Sequence, residues 1–136
     1  MGKDSSATRD KVETTSAQSH LVDWDVALET VGGDRELLTD LLRLFLDDWN
    51  SMIGEIESAI QNGDEKELRR AAHAFKGALN HLGATSTASK AFALEKMGEA
   101  GDLSDSNPAL AQLQAETLRL LVEFEAFTVE APSSNG

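Results

Sequence analysis

With 136 residues, no cysteine, 24 Asp and Glu against 12 Lys and Arg, and a formal net charge of -12, the chain has room for one domain with its own core. The missing cysteines exclude disulfide frameworks and thiolate metal sites. The acidic balance disfavours nucleic acid or an anionic membrane as partner and favours another protein, and no apolar run approaches the roughly 20 residues that cross a bilayer.

Residues 1–21 are rich in Ser, Thr, Lys and Asp, with no apolar signal region and almost no apolar periodicity. They predict a disordered N-terminal tail or linker on a cytoplasmic protein. From there the punctuation is helical and no strand pattern occurs. Asp23 caps a short helix over about 24–31, which Gly32-Gly33 ends before Asp34 caps the next. That second helix carries Leu38, Leu41, Leu42, Phe45, Trp49, Met52, Ile53, Ile56 and Ile60, a stripe of period near 3.6 that stops at Asn62-Gly63. Asp64 and Glu67 form a capping box for a third helix ending at Gly83. A fourth helix spans Thr85 to Ala100. After a loop over 101–106, Asn107-Pro108 reads as a cap followed by proline at the first helical position, and Leu110, Leu113, Leu121, Phe124 and Phe127 supply the last stripe. Residues 129–136, with Ala131-Pro132-Ser133-Ser134-Asn135-Gly136, predict a second disordered tail. The fold class is therefore all-α: an antiparallel four-helix bundle with an additional short N-terminal helix, occupying residues 22–128.

The third helix carries the chemistry. At about 100° per residue, Leu68, Ala72, Phe75, Leu79 and Leu82 form one stripe, and His73 lies roughly 150° from its centre, facing solvent. Four of the 12 basic residues, Lys66, Arg69, Arg70 and Lys76, fall within this helix. Arg69, Arg70 and Lys76 lie within one turn of the imidazole and surround it with positive charge, as an anion site requires. Gly77 costs the helix about 1 kcal/mol relative to alanine and sits on the polar face, where core packing does not explain it; close approach of a phosphoryl group or a partner does. An ordinary surface histidine is the competing reading of His73, and it leaves both the glycine and the cations unexplained. On the fourth helix Glu95 falls within the apolar face of Ala88, Ala91 and Leu94, where a carboxylate needs a partner. A ring nitrogen of His73 is one candidate, and a boundary glutamate reaching for water is the other. Arg69, Arg70 and Asn80 are candidate anion or partner contacts, and for each arginine a surface ion pair is the alternative. His81 lies two turns from His73, with the imidazoles roughly 12 Å apart along the axis, too far to share one metal ion. Leu44 projects away from its core stripe, either as part of an apolar docking patch or packed under the first helix.

The run Ala72-His73-Ala74-Phe75-Lys76-Gly77-Ala78-Leu79-Asn80-His81-Leu82-Gly83-Ala84 resembles the active helix of histidine-containing phosphotransfer (HPt) domains. The family motif has His, then Lys-Gly three and four places on, then Gly ten places on. The similarity extends over about 23–128, with Gly32-Gly33-Asp34-Arg35-Glu36-Leu37-Leu38 after the first helix and Leu94-Glu95 on the fourth. The resemblance implies that His73 accepts a phosphoryl group from a receiver-domain aspartate and passes it to another in a multistep phosphorelay. Lys76 would balance the phosphoryl charge and Glu95 would orient the ring. Response-regulator receiver domains, and a hybrid sensor histidine kinase, are the implied partners of a monomeric phosphocarrier with no cofactor of its own, magnesium belonging to the receiver. No Gly-rich nucleotide loop is present, so this chain is not expected to be a kinase by itself. Two rivals fit less well: the phosphorylated domain of a chemotaxis-type kinase, which would bring ATP-binding and dimerisation regions, and a helical scaffold, against which intact His73 and Lys76 count.

Overall fold

The computed structural model describes residues 21–133, in five helices: α1 (Trp24–Thr30), α2 (Arg35–Gln61), α3 (Glu65–His81), α4 (Thr85–Ala100) and α5 (Ser106–Ser133). Three of the helix starts are set locally by an aspartate whose carboxylate accepts a hydrogen bond from a backbone N–H in the first turn. Asp23 takes that of Val26 at 3.2 Å, Asp34 that of Leu37 at 3.1 Å and Asp64 that of Glu67 at 3.1 Å. The box expected at Asp64 is half formed, because the Glu67 carboxylate turns to Arg70 and the Asp64 N–H is taken by the Ala59 carbonyl at 2.8 Å. No side chain caps α4, which starts from Ala84.

Connections of three to five residues join α2 to α3, α3 to α4 and α4 to α5, so successive helices run antiparallel, and α2 also packs on α5 to close the bundle. Helices α3 and α5 lie diagonally opposite across the core. Aromatic rings tie the layers together. Phe45 of α2 stacks on Phe75 of α3 at 5.7 Å between centroids and meets Phe124 of α5 edge-on at 5.4 Å. Trp24 brings α1 onto this cluster by stacking on Phe127 at 4.5 Å.

The α3/α4 contact is the most extensive in the molecule, and small side chains make it close. A Cβ on Gly98 of α4 would lie 2.7 Å from both the Arg69 nitrogen and the Glu65 carbonyl oxygen of the α3 backbone. At the end of α3, Gly83 adopts φ +76° and its carbonyl accepts from the Asp23 N–H at 2.8 Å, where a side chain would strike the Asp23 oxygen.

Three boundaries differ from expectation. Leu21, assigned to the N-terminal tail, is buried in the core, and its backbone N–H donates to Glu123 of α5 at 2.7 Å; the rest of that tail lies outside the described residues. Helix α5 begins at Ser106 rather than Pro108, with the Ala109 N–H bonded to the Asp105 carbonyl at 3.2 Å. Proline is accommodated there because first-turn N–H groups have no intrahelical partner in any case. The same helix runs past the expected end at 128 as far as Ser133: nothing in Val129-Glu130-Ala131 breaks a helix, and it ends one residue after Pro132, while residues 134–136 of the expected tail are outside the described residues.

Candidate functional site: a histidine, a lysine and a partly buried carboxylate between two helices

Leu68, Ala72, Phe75 and Leu79 of α3 are fully buried, and the same periodicity turns His73 outward with its side chain 65% exposed. Its Nδ1 stands 3.0 Å from Oε2 of Glu95. A carboxylate only accepts, so Nδ1 carries the hydrogen and the pairing fixes both ring orientation and tautomer. Nε2 then holds the lone pair, with no hydrogen-bond partner among the described residues.

Glu95 reaches the ring from α4 and is only 12% exposed. Its second oxygen, Oε1, lies 2.8 Å from Nζ of Lys76, whose side chain is 22% exposed. The two groups form a close ion pair across the α3/α4 contact. Burial alone would push the Glu95 carboxyl up, yet Lys76 and the His73 ring together outweigh it and hold the group below its ordinary range. A carboxyl held low in the folded state contributes stability above its unfolded value and loses it as pH falls through the lowered one. In Lys76→Ala the burial effect should prevail and the Glu95 midpoint, followed by carboxyl 13C NMR, should rise; an unmoved midpoint would show that the ion pair carries no weight.

Gly77, four residues after His73, has open space around it: a Cβ there would meet nothing within 4 Å. The fold thus offers no reason for glycine. Gly77→Gln should raise thermal stability slightly, by up to about 1 kcal/mol of helix propensity, and slow phosphoryl transfer by obstruction. Undiminished transfer would remove close approach as the reason for this residue.

Of the remaining candidates, Arg70 is engaged elsewhere. Its guanidinium pairs with Glu67 on its own helix and with Glu55 of α2 at 2.7 Å, which pushes it above its ordinary range, and all three groups are at the surface. Arg69 and Asn80 are exposed on the α4 side of α3, and Asn80 borders a shallow groove of about 280 Å³ with Lys76, Ser89 and Phe92. On the other flank Leu44, 59% exposed, joins Leu41, Phe45, Met52, Ala78 and Leu82 along an apolar groove of about 410 Å³ between α2 and α3, with His81 and Asp48 at its edge.

Two residues near or beyond the site escape sequence reasoning. Phe92 of α4 places its ring 4.7 Å from the Lys76 ammonium. An aromatic a quarter turn off the apolar face was the available signal. Glu116 of α5 is buried and accepts hydrogen bonds from Thr87 at 2.8 Å and Ser86 at 3.0 Å, with Lys90 at 3.7 Å, tying the start of α4 to α5. Nothing local in the sequence distinguishes it from a solvated glutamate.

The Hpt domain family model matches residues 40–123, which include the whole of α3 and α4. The chain belongs to the Hpt family. Hpt domains are the histidine-phosphotransfer modules of phosphorelays, and they work with receiver domains and hybrid kinases. Among solved structures, the Hpt fold of this chain is similar to histidine-containing phosphotransfer protein B from Pseudomonas aeruginosa PAO1, with a TM-score of 0.76 at 24% identity over 81% of this chain and 96% of that one. It is also similar to the HPT domain of a sensor hybrid histidine kinase from Shewanella, with a TM-score of 0.66 at 20% identity over 85% and 97%. No curated protein matches the sequence. None of the described helices is long and apolar enough to cross a membrane.

Proposed function

We propose that this Hpt domain carries its phosphoryl group on Nε2 of His73, accepting it from the aspartyl phosphate of one receiver domain and delivering it to the aspartate of another. The observation that supports this most directly is the pairing of an exposed ring with a partly buried, ionised carboxylate: Nδ1 is occupied by Glu95 at 3.0 Å, which leaves Nε2 as the nucleophile. In the forward step the Nε2 lone pair attacks phosphorus, the N–P bond forms, and the P–O bond to the receiver aspartate breaks with its electrons leaving on the carboxylate. The ring becomes cationic as it attacks, and the Glu95 carboxylate stabilises that charge through the Nδ1 hydrogen. Lys76, one turn along α3, supplies positive charge for the phosphoryl oxygens. The return step is the same path reversed with a second carboxylate as acceptor.

Gly77 lets the receiver approach, and the apolar groove beside Ala78, with Leu44 and Met52 along it, gives the receiver a surface continuous with the site. The chain acts as a cytoplasmic monomer and a phosphocarrier without its own nucleotide or metal, the receiver contributing magnesium. Incubation with 32P-labelled phosphoreceiver domains tests the reading. Acid-labile, base-stable label should appear and map to the peptide containing His73; label on His20 or His81 instead, or none from competent receivers, overturns it.

A further inference from the structure

Phe92 is an exposed aromatic residue, at 43%, beside a charged site on a domain of few aromatics, and the phosphotransfer chemistry above does not use it. It precedes Glu95 by three residues, so ring and carboxylate stand on adjacent turns of α4 and face α3 together. Between them lies the Lys76 ammonium, 2.8 Å from Glu95 Oε1 and 4.7 Å from the Phe92 ring centroid. Attraction to a carboxylate oxygen sets how near the ammonium comes, while a compact charge with three rotatable donors does not by itself fix the direction from which it comes. A flexible four-carbon stem leaves that direction open unless a second surface restricts it. The face of Phe92 is that surface, attracting the cation through its quadrupole and excluding water from one side of the ion pair. Lys96 approaches the same ring at 5.3 Å from its own helix.

We infer that Phe92 is a positioning residue for Lys76, holding its ammonium against Glu95 and beside the His73 ring so that the positive charge is in place when the phosphoryl group arrives. The inference rests on the phosphotransfer reading for its effect on rate, but the restraint on Lys76 is a property of the free domain and is measurable without any receiver. An exposed cation–ring contact predicts that losing it slows transfer by about two- to fivefold.

The test is a double-mutant cycle with two readouts. Phe92→Leu, Phe92→Trp, Lys76→Ala and Phe92→Leu/Lys76→Ala are compared for transfer from a phosphoreceiver. The Lys76 methylene beside the ammonium is followed by NMR shift and relaxation in the free domain. Phe92→Leu should slow transfer, abolish the ring-current shift of that methylene and increase its mobility. Phe92→Trp should retain both rate and shift, and in the Lys76→Ala background Phe92→Leu should cost nothing further. An undiminished loss in that background would make the ring a receiver contact or a folding element and overturn the inference, as would a Lys76 signal indifferent to Phe92. Absence of transfer in the wild type would overturn the phosphotransfer reading instead, with the Lys76 signal still deciding whether Phe92 restrains it.

Discussion

His73→Gln is expected to reduce phosphoryl acceptance to background while leaving thermal stability within about 0.5 kcal/mol of wild type. The two halves of that result have separate causes. Stability is spared because the side chain is 65% exposed and every apolar neighbour on α3 that fills the core, from Leu68 to Leu79, is untouched. Acceptance is lost because an amide has no nucleophilic ring nitrogen, and neither Lys76 nor Glu95 replaces one: the first balances charge and the second orients. Retained label in the variant would mean that the phosphoryl group rides on another residue, and a large loss of stability would mean that the contact with Glu95 is part of the fold rather than of the chemistry.

The second large effect concerns the fold beneath the site. Gly98→Ala adds a methyl group 2.7 Å from two backbone atoms of α3, closer than real Cβ contacts are found. Because those atoms belong to a helix backbone and not to a flexible side chain, α3 and α4 must move apart. Overpacking of this kind costs about 1–3 kcal/mol, which outweighs the roughly 1 kcal/mol that alanine returns in helix propensity. The melting temperature should fall by several degrees, and transfer should fall with it, since Glu95 is one turn from Gly98 and spans the widened gap to His73. Gly54→Ala is the control, because a Cβ there meets nothing within 4 Å and the same propensity gain should appear as stabilisation. Equal melting temperatures for the two variants would show that the interface adapts.

What was legible in the sequence follows from what is local in physics. The aspartate caps at 23, 34 and 64 act within three residues, and the stripe on α3 is a periodicity, so the helices and the outward turn of His73 followed from spacing alone. Glu95 was open between two readings because its meaning depends on which helix faces α4, and it pairs with a ring 22 residues away. Leu21 is a sharper case: the bond that makes it part of the domain spans 102 residues to Glu123, and a lone leucine at the end of a polar run carries no local sign of it. Glu116 was invisible for the same reason, and Phe92 showed only as an aromatic off the apolar face, each acquiring its role from a neighbour on another helix. The start of α5 was misplaced by two residues because Pro108 tolerates several first-turn positions, so the residue marks the turn without marking its beginning.

The aromatic stacking of α1 also gives this domain a built-in optical probe. The chain has no tyrosine and two tryptophans, so its intrinsic fluorescence comes from Trp24 and Trp49. Trp24 lies in the joint where α1 rests on Phe124 and Phe127, while Trp49 sits on the outer seam of α2 facing Leu118 of α5. One emitter thus watches the cover at the end of the bundle and the other the bundle itself, so exchanging either for phenylalanine separates release of the short helix from melting of the four long ones.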